Sequence, residues 1–172
     1  MADERMFLLD ANVFIEAKRR YYAFDLCPGF WEALIWQHQE NRIKSIDRVK
    51  RELERGGNDL GIWVSTAMPE SCFASTDDAA VAGHFGQMAT WVQGQAQFNP
   101  EAKAEFAATA DGWLIAYAET YDLVLVTHEI FAPEARRKVP IPNVCQAFDV
   151  NYIDTFQMLR DLGVAFTWES PG

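Results

Sequence analysis

Four acidic side chains, Asp10, Glu52, Asp111 and Glu129, are the residues of this chain best suited to chemistry. Mg²⁺ and Mn²⁺ take oxygen ligands and keep several waters, so a few carboxylates suffice to hold one. A cation so held polarises a phosphodiester, activates water and stabilises charge on a leaving oxygen. Asp10 and Asp111 have short, stiff side chains suited to direct coordination, whereas Glu52 and Glu129 reach further and suit direct or water-bridged contact. Each acid alone has a plainer reading: Asp111 as a helix cap, Glu52 as a surface partner of Arg48 or Arg55, Glu129 as a loop carboxylate. Asp10 is the hardest to read as surface, because it ends an apolar run beside Asn12 and an unpaired charge is costly to bury.

The elements that must position these acids are visible as hydrophobic patterns. Met6 to Leu9 and Leu123 to Val126 are short, continuously apolar runs, which predicts buried strands ending near Asp10 and Glu129. Ile43 to Ile46 is a short strand or an extended connector, and Val144 to Phe148 reads as a third strand. Helices are expected from Ala11 to Arg20, from Trp31 to about Asn41, from Asp47 to Arg55, over Leu60 to Thr66, over Val81 to Val92 and over Ala102 to Ala108. Asp47 and Asp111 suit N-caps, Gly56-Gly57 a helix stop, and a strongly helical segment follows Asp111. Tyr152 to Leu162 reads as a further helix before an extended tail, and Pro69 to Asp78 as turns. Strands alternating with helices predict an α/β/α sandwich with a mostly parallel sheet. In such sheets, sites form at the carboxyl ends of strands, where Asp10 and Glu129 fall.

At 172 residues, 49% of them apolar, the chain is expected to form one domain over residues 1–172, without repeats or linkers. The net charge of −10 argues against nonspecific nucleic-acid binding by the whole chain. The bases are nevertheless uneven: Lys18, Arg19, Arg20, Arg42, Lys44, Arg48, Lys50, Arg51 and Arg55 crowd the first third. They are either one basic face or solvated helix faces paired with neighbouring acids. Cys27, Cys72 and Cys145 form neither a zinc pattern nor a disulfide framework, which fits a reducing cytoplasm. Asp3, Glu4 and Arg5 precede too short an apolar run for a signal peptide, and no run reaches the length of a membrane span.

The acids also sit in recognisable contexts. Leu8-Leu9-Asp10-Ala11-Asn12-Val13-Phe14-Ile15 resembles the opening of PIN-domain nucleases, where a first strand ends in the motif's Asp. Val49-Lys50-Arg51-Glu52-Leu53 is similar to the second acidic motif of that family, and Asp111-Gly112-Trp113-Leu114-Ile115-Ala116-Tyr117-Ala118 to the third. Leu125-Val126-Thr127-His128-Glu129 resembles the fourth, though many PIN domains carry Asp where this chain has His128-Glu129. Thr127-His128-Glu129 and Ile141-Pro142-Asn143-Val144-Cys145 further resemble the bacterial PIN-like subfamily DUF4411. The resemblance implies a PIN-like sandwich and a Mg²⁺- or Mn²⁺-dependent endoribonuclease, often the toxin of a bacterial toxin–antitoxin pair. It implies that Asp10, Glu52, Asp111 and Glu129 hold the metal and activate water, with Asn12 and Thr127 supporting the site. It also implies an antitoxin protein as partner and leaves a homodimer open.

For an RNA substrate, the expected phosphate contacts are Lys18, Arg19 and Arg20 and the bases of the Arg42–Arg55 stretch, Arg48 and Arg51 among them, with Arg136, Arg137 and Lys138 as a second patch. Tyr21, Tyr22 and Trp63 are candidates to stack on bases. His128 is read as structural or exposed in preference to a proton-transfer or phosphate-binding role. Three competing readings are a nuclease acting on DNA, a phosphohydrolase acting on another phosphate ester, and a catalytically weak PIN-like interaction module. A haloacid-dehalogenase-type phosphatase fits less well, because Asn12 stands where a second Asp is needed.

Overall fold

The protein is described by a computed structural model covering residues 4–172, so Asp3 lies outside the described residues. Five parallel strands form the central sheet in the order β3-β2-β1-β4-β5. They are β1 (Phe7–Leu9), β2 (Ile43–Ile46), β3 (Phe73–Ala74), β4 (Val124–Val126) and β5 (Tyr152–Ile153). The chain runs from β1 outward through β2 to β3, then crosses back to β4 and β5 on the other side of β1. Right-handed crossovers in the two directions place helices on opposite faces, giving the expected α/β/α layers.

The three central strands are short because they are deeply covered: every residue of β1 and β4 is buried, as are Ile43, Ser45 and Ile46 of β2. Asp10 follows β1 directly and leads into α1 (Ala11–Glu16), which continues as a π-helical turn over Ala17–Tyr21. Next come α2 (Pro28–Gln39), α3 (Asp47–Arg55) and α4 (Asp59–Thr66). Helices α5 (Ala79–Gln93), α6 (Pro100–Ala108) and α7 (Asp111–Tyr121) fill the long crossover to β4. Gly57 has a φ of 61°, so the Gly56-Gly57 stop uses glycine where the backbone turns left-handed.

Four local expectations are corrected. Val144 to Phe148 is not a strand: Ile141–Ala147 forms helix α8. Pro140 and Pro142 stand at its start, where a missing N–H costs nothing, and Ile141, Val144 and Cys145 share its buried face. The helix predicted from Tyr152 splits into β5 and α9 (Thr155–Asp161), because the Asp154 carboxylate accepts from the Gln157 N–H at 2.8 Å and caps α9. The turn-rich stretch after Pro69 contains β3, too short to show any periodicity. Asp47 and Asp111, expected as N-caps, are instead the first residues of α3 and α7, with Ile46 and Ala110 in the cap positions.

Packing at the start of α7 is tight. A Cβ on Gly112 would lie 2.8 Å from Phe85 Cε2 and 3.0 Å from Phe106 Cζ, and Phe85 is itself stacked on Trp113 at 4.1 Å. Gly112→Ala is therefore expected to destabilise the fold by ~1–3 kcal/mol through overpacking, read as a lower midpoint in chemical denaturation. An unchanged midpoint would show that the two phenylalanines yield freely.

Candidate active site at the strand ends

The parallel neighbours β1 and β4 are where the strand order reverses, the topological switch point at which a doubly wound sheet opens a crevice. Asp10 and Thr127 are the residues immediately after these strands. The Asp10 N–H donates to the Val126 carbonyl at 3.0 Å, and its carbonyl accepts from the Val13 N–H at 3.0 Å. The backbone is thus pinned on both sides, while Asp10 makes no side-chain capping bond to α1. Its carboxylate instead accepts from the Thr127 hydroxyl at 3.1 Å. Ser45 of β2 closes the floor, donating its hydroxyl to the Leu9 carbonyl at 2.6 Å.

Thr127 also orients the fourth acid. Its Oγ1 accepts from the Glu129 N–H at 3.1 Å, and Glu129 Oε1 lies 3.1 Å from the Lys138 ammonium. The Ile141 N–H approaches the same oxygen at 3.4 Å. The loop carrying Lys138 is anchored to its surroundings. Asn143 Oδ1 accepts from the Ala132 N–H at 3.0 Å, and its Nδ2 donates to the Ala132 carbonyl at 2.8 Å. Gln97 Nε2 donates to the carbonyls of Pro133 and Ala135, both at 2.8 Å.

A cleft of about 340 Å³ opens over this arrangement, lined among others by Asp10, Asn12, Glu52, Glu105, Asp111 and Lys138. Glu52 reaches it from α3, flanked by the buried Val49 and Leu53 that seat the helix. Glu129 lines an adjoining cavity that shares Asn12. Burial, with Asp111, Glu129 and Glu52 adding repulsion against the Thr127 bond, pushes the Asp10 pKa up to about 8. Burial and Glu129 push Asp111 up to about 7, with Lys138 opposing. Burial also raises Glu52, opposed by Arg55 and Lys138. Burial alone would lower Lys138, but Glu129, Asp111 and Asp10 outweigh it and hold its ammonium charged.

The four sequence-predicted acids thus converge electrostatically at one end of the sheet. Among the described residues, no three His, Cys, Asp or Glu side chains are disposed to enclose a metal ion as they stand. The donor set nevertheless suits a hard divalent cation: oxygen ligands only, crowded enough to repel one another, with room for the waters such ions retain. Asp10, Glu52 and Asp111 line the cleft itself, and Glu129 lines the cavity that adjoins it.

The expected bases divide. Arg48, Arg51 and Arg55 of the expected Arg42–Arg55 stretch line the cleft, and so does Lys138 of the expected second patch. Arg48 lies 4.0 Å over the Trp113 ring and donates to Thr76 Oγ1 at 3.0 Å, while Arg51 pairs with Asp47 at 3.0 Å. Arg20 pairs with Glu16 at 3.1 Å beside the adjoining cavity. Lys18, Arg19, Arg136 and Arg137 line neither space. Of the aromatic candidates, Tyr22 stacks on Phe30 at 4.7 Å and Trp63 packs against Trp31 at 4.8 Å, so both belong to the core. Tyr21 is half-exposed beside the site. Glu105, from α6, carried no motif by which the sequence could have flagged it.

The family described as "Domain of unknown function (DUF4411)" matches residues 7–166. No match was found among curated proteins. Among solved structures, the chain is similar to FitAcB from Neisseria gonorrhoeae, at 18% identity and a TM-score of 0.53, over 86% of this chain and 96% of that one. That likeness concerns the fold, which is PIN-like: a parallel sheet flanked by helices.

The crowding of the acids has a thermodynamic consequence. Asp10 and Asp111 ionise near 3.8, the ordinary value, when unfolded but higher when folded. Between these pH values the unfolded chain binds fewer protons than the folded one. Their contribution to stability is therefore full below about pH 4 and is lost as pH rises through the folded values. In EDTA, Asp10→Asn is expected to be more stable than the unaltered protein, with an advantage that grows from pH 5 to pH 8. At pH 8 it should reach at least ~1 kcal/mol, or about 2–4 °C in Tm for a domain of this size. A variant less stable than the parent at pH 8 would contradict the crowding.

Proposed function

The chain belongs to the DUF4411 family, and on that footing we propose that it is a metal-dependent endoribonuclease that hydrolyses RNA phosphodiester bonds as the toxin of a bacterial toxin–antitoxin pair. The observation that carries this reading is the meeting of Asp10 and Asp111 at the switch point, in one cleft with Arg48, Arg51, Arg55 and Lys138. Paired carboxylates bind a cation, and bases beside them bind the phosphates that flank a scissile bond.

On this reading Asp10, Glu52, Asp111 and Glu129 hold Mg²⁺ or Mn²⁺. The cation supplies positive charge that polarises the phosphodiester and stabilises the leaving oxygen. Thr127 fixes the rotamer of Asp10 through its hydroxyl and sets the path of Glu129 through its Oγ1. Asn12 stands where the cleft meets its neighbour and orients the strand passing between them. Lys138, paired with Glu129, neutralises part of the acidic cluster before substrate arrives and is free to exchange that partner for a phosphate oxygen. The chain works in the cytoplasm, is held in check by an antitoxin protein, and associates as a homodimer. No helix among the described residues is long and apolar enough to cross a membrane.

A second reading, a catalytically weak PIN-like interaction module, is favoured by the lack of three donors already disposed around a metal. A nuclease acting on DNA, or a phosphohydrolase acting on another ester, would use the same acids. One assay separates these readings: purified protein with Mn²⁺ or Mg²⁺ on single-stranded RNA, structured RNA and DNA. RNA cleavage is expected, lost in EDTA and reduced about a hundredfold or more in Asp10→Asn and in Asp111→Asn. Cleavage that persists in both variants removes the site from the mechanism. Cleavage of DNA alone changes the substrate, and inactivity toward all three supports the interaction module. The toxin role predicts growth arrest on expression, relieved by co-expressing the neighbouring gene.

A further inference from the structure

Of the three aromatic candidates, Tyr21 stays outside the core and lines a second cavity beside the acid cleft. This space of about 310 Å³ is lined by Asn12, Glu16, Tyr21, His128 and Glu129. Asn12 lines both spaces, so they adjoin at that residue. Its wall is built from rings held in place. His128 Nε2 is 2.8 Å from Thr155 Oγ1, and the Thr155 residue is buried. Tyr21 meets Phe156 edge-on at 5.3 Å and lies 6.3 Å from the His128 ring, which is 6.0 Å from Phe156. Tyr21 is 50% exposed despite these contacts, so one side of the ring faces solvent.

The backbone aims this ring deliberately. Tyr21 ends the π-helical turn Ala17–Tyr21, in which the Tyr22 N–H donates back to the Ala17 carbonyl at 2.7 Å. The wider turn separates the two tyrosines: Tyr22 goes into the core against Phe30, and Tyr21 stays beside the cavity. Single π-turns within helices recur where a side chain must be re-aimed for function.

We propose that this cavity is a binding subsite for one unpaired nucleobase of the RNA strand, stacked on Tyr21, with guanine preferred. The proposal rests on the ribonuclease reading above for the identity of the polymer. The cavity is large enough for a purine ring, and a base seated there leaves its phosphate toward the acids through the shared Asn12. The selectivity follows from the acceptors. Glu16 is held by Arg20 at 3.1 Å, and each of its carboxylate oxygens accepts more than one hydrogen bond. Guanine alone among the bases offers two adjacent donors, N1–H and N2–H, to a carboxylate. Uracil offers one donor, N3–H, flanked by two carbonyl oxygens that a carboxylate repels, and cytosine and adenine offer a single amino group.

The test is fluorescence anisotropy of labelled single-stranded RNA octamers in EDTA, where a metal-dependent nuclease is silent, alongside cleavage of the same octamers in Mn²⁺. An octamer with one central guanine in uracil is expected to bind at least about fivefold more tightly than all-uracil RNA. Tyr21→Leu should weaken binding of the guanine octamer about tenfold, the scale of one lost base stack, and Tyr21→Phe should restore it. Glu16→Gln should remove the guanine preference while leaving the Tyr21-dependent stacking. Absence of binding, equal binding of the two octamers, or a preference unchanged in both Tyr21→Leu and Glu16→Gln overturns the subsite. A Tyr21-dependent preference without cleavage keeps the subsite and overturns the ribonuclease reading. Cleavage without the preference does the reverse.

Discussion

The constraint on which this structure depends is the burial of Asp10 at the junction of two parallel strands. A carboxylate placed there is desolvated by the sheet and faces Asp111, Glu129 and Glu52, and the hydroxyl of Thr127 offsets only part of that cost. A fold selected for stability alone would put an apolar or neutral residue at the position. The surrounding architecture reads as a response to that one choice. Strand β4 supplies Thr127, the loop after it supplies Lys138, and Asn143 and Gln97 hold the loop so that the ammonium reaches Glu129. The acids repel one another, so the same crowding that weakens the protein would, on the nuclease reading proposed above, strengthen its affinity for a cation.

Much of this was legible before any coordinates. The runs Met6 to Leu9 and Leu123 to Val126 announce buried strands because continuous apolarity suits strands covered on both faces, and Asp10 stands out because it interrupts one. The partition of the late chain was not legible. Ile141, Val144 and Cys145 are compatible with a short strand by composition, and only the prolines at the start of α8 favour a helix. β3 and β5 are two residues each, below the length at which alternation carries information, and exist because β2 and β4 offer them hydrogen bonds. Asp111 looked like a cap by residue type. Its N1 position depends on where the preceding turn ends, which local propensity does not determine to one residue.

The basic residues teach a related lesson. Sequence clustering drew attention to Lys18 through Arg20 and to Arg136 through Lys138, yet of these six bases only Lys138 lines the cleft. A run of adjacent bases on a loop or helix must fan in different directions, so a cluster in sequence is seldom a cluster in space. Arg48, Arg51 and Arg55 succeed because they recur at spacings of three and four on α3, which keeps them on one face beside Glu52.

That face resolves the tension between an acidic protein and a polyanionic substrate. The cleft is lined by four carboxylates, Asp10, Glu52, Glu105 and Asp111, and by four bases, Arg48, Arg51, Arg55 and Lys138. Counted as formal charges these cancel, so the net charge of −10 lies on the rest of the molecule. Glu129 from the adjoining cavity brings the region to −1, and one divalent cation would bring it to +1. A phosphate approaching within about a Debye length, ~10 Å, therefore meets a local potential that the distant acids affect little, while a strand lying elsewhere on the surface is repelled. The acidic exterior then acts as a filter. On the proposed nuclease reading it would weaken nonspecific association along the protein and leave the cleft, with the aromatic cavity beside it, as the place for a polynucleotide to bind.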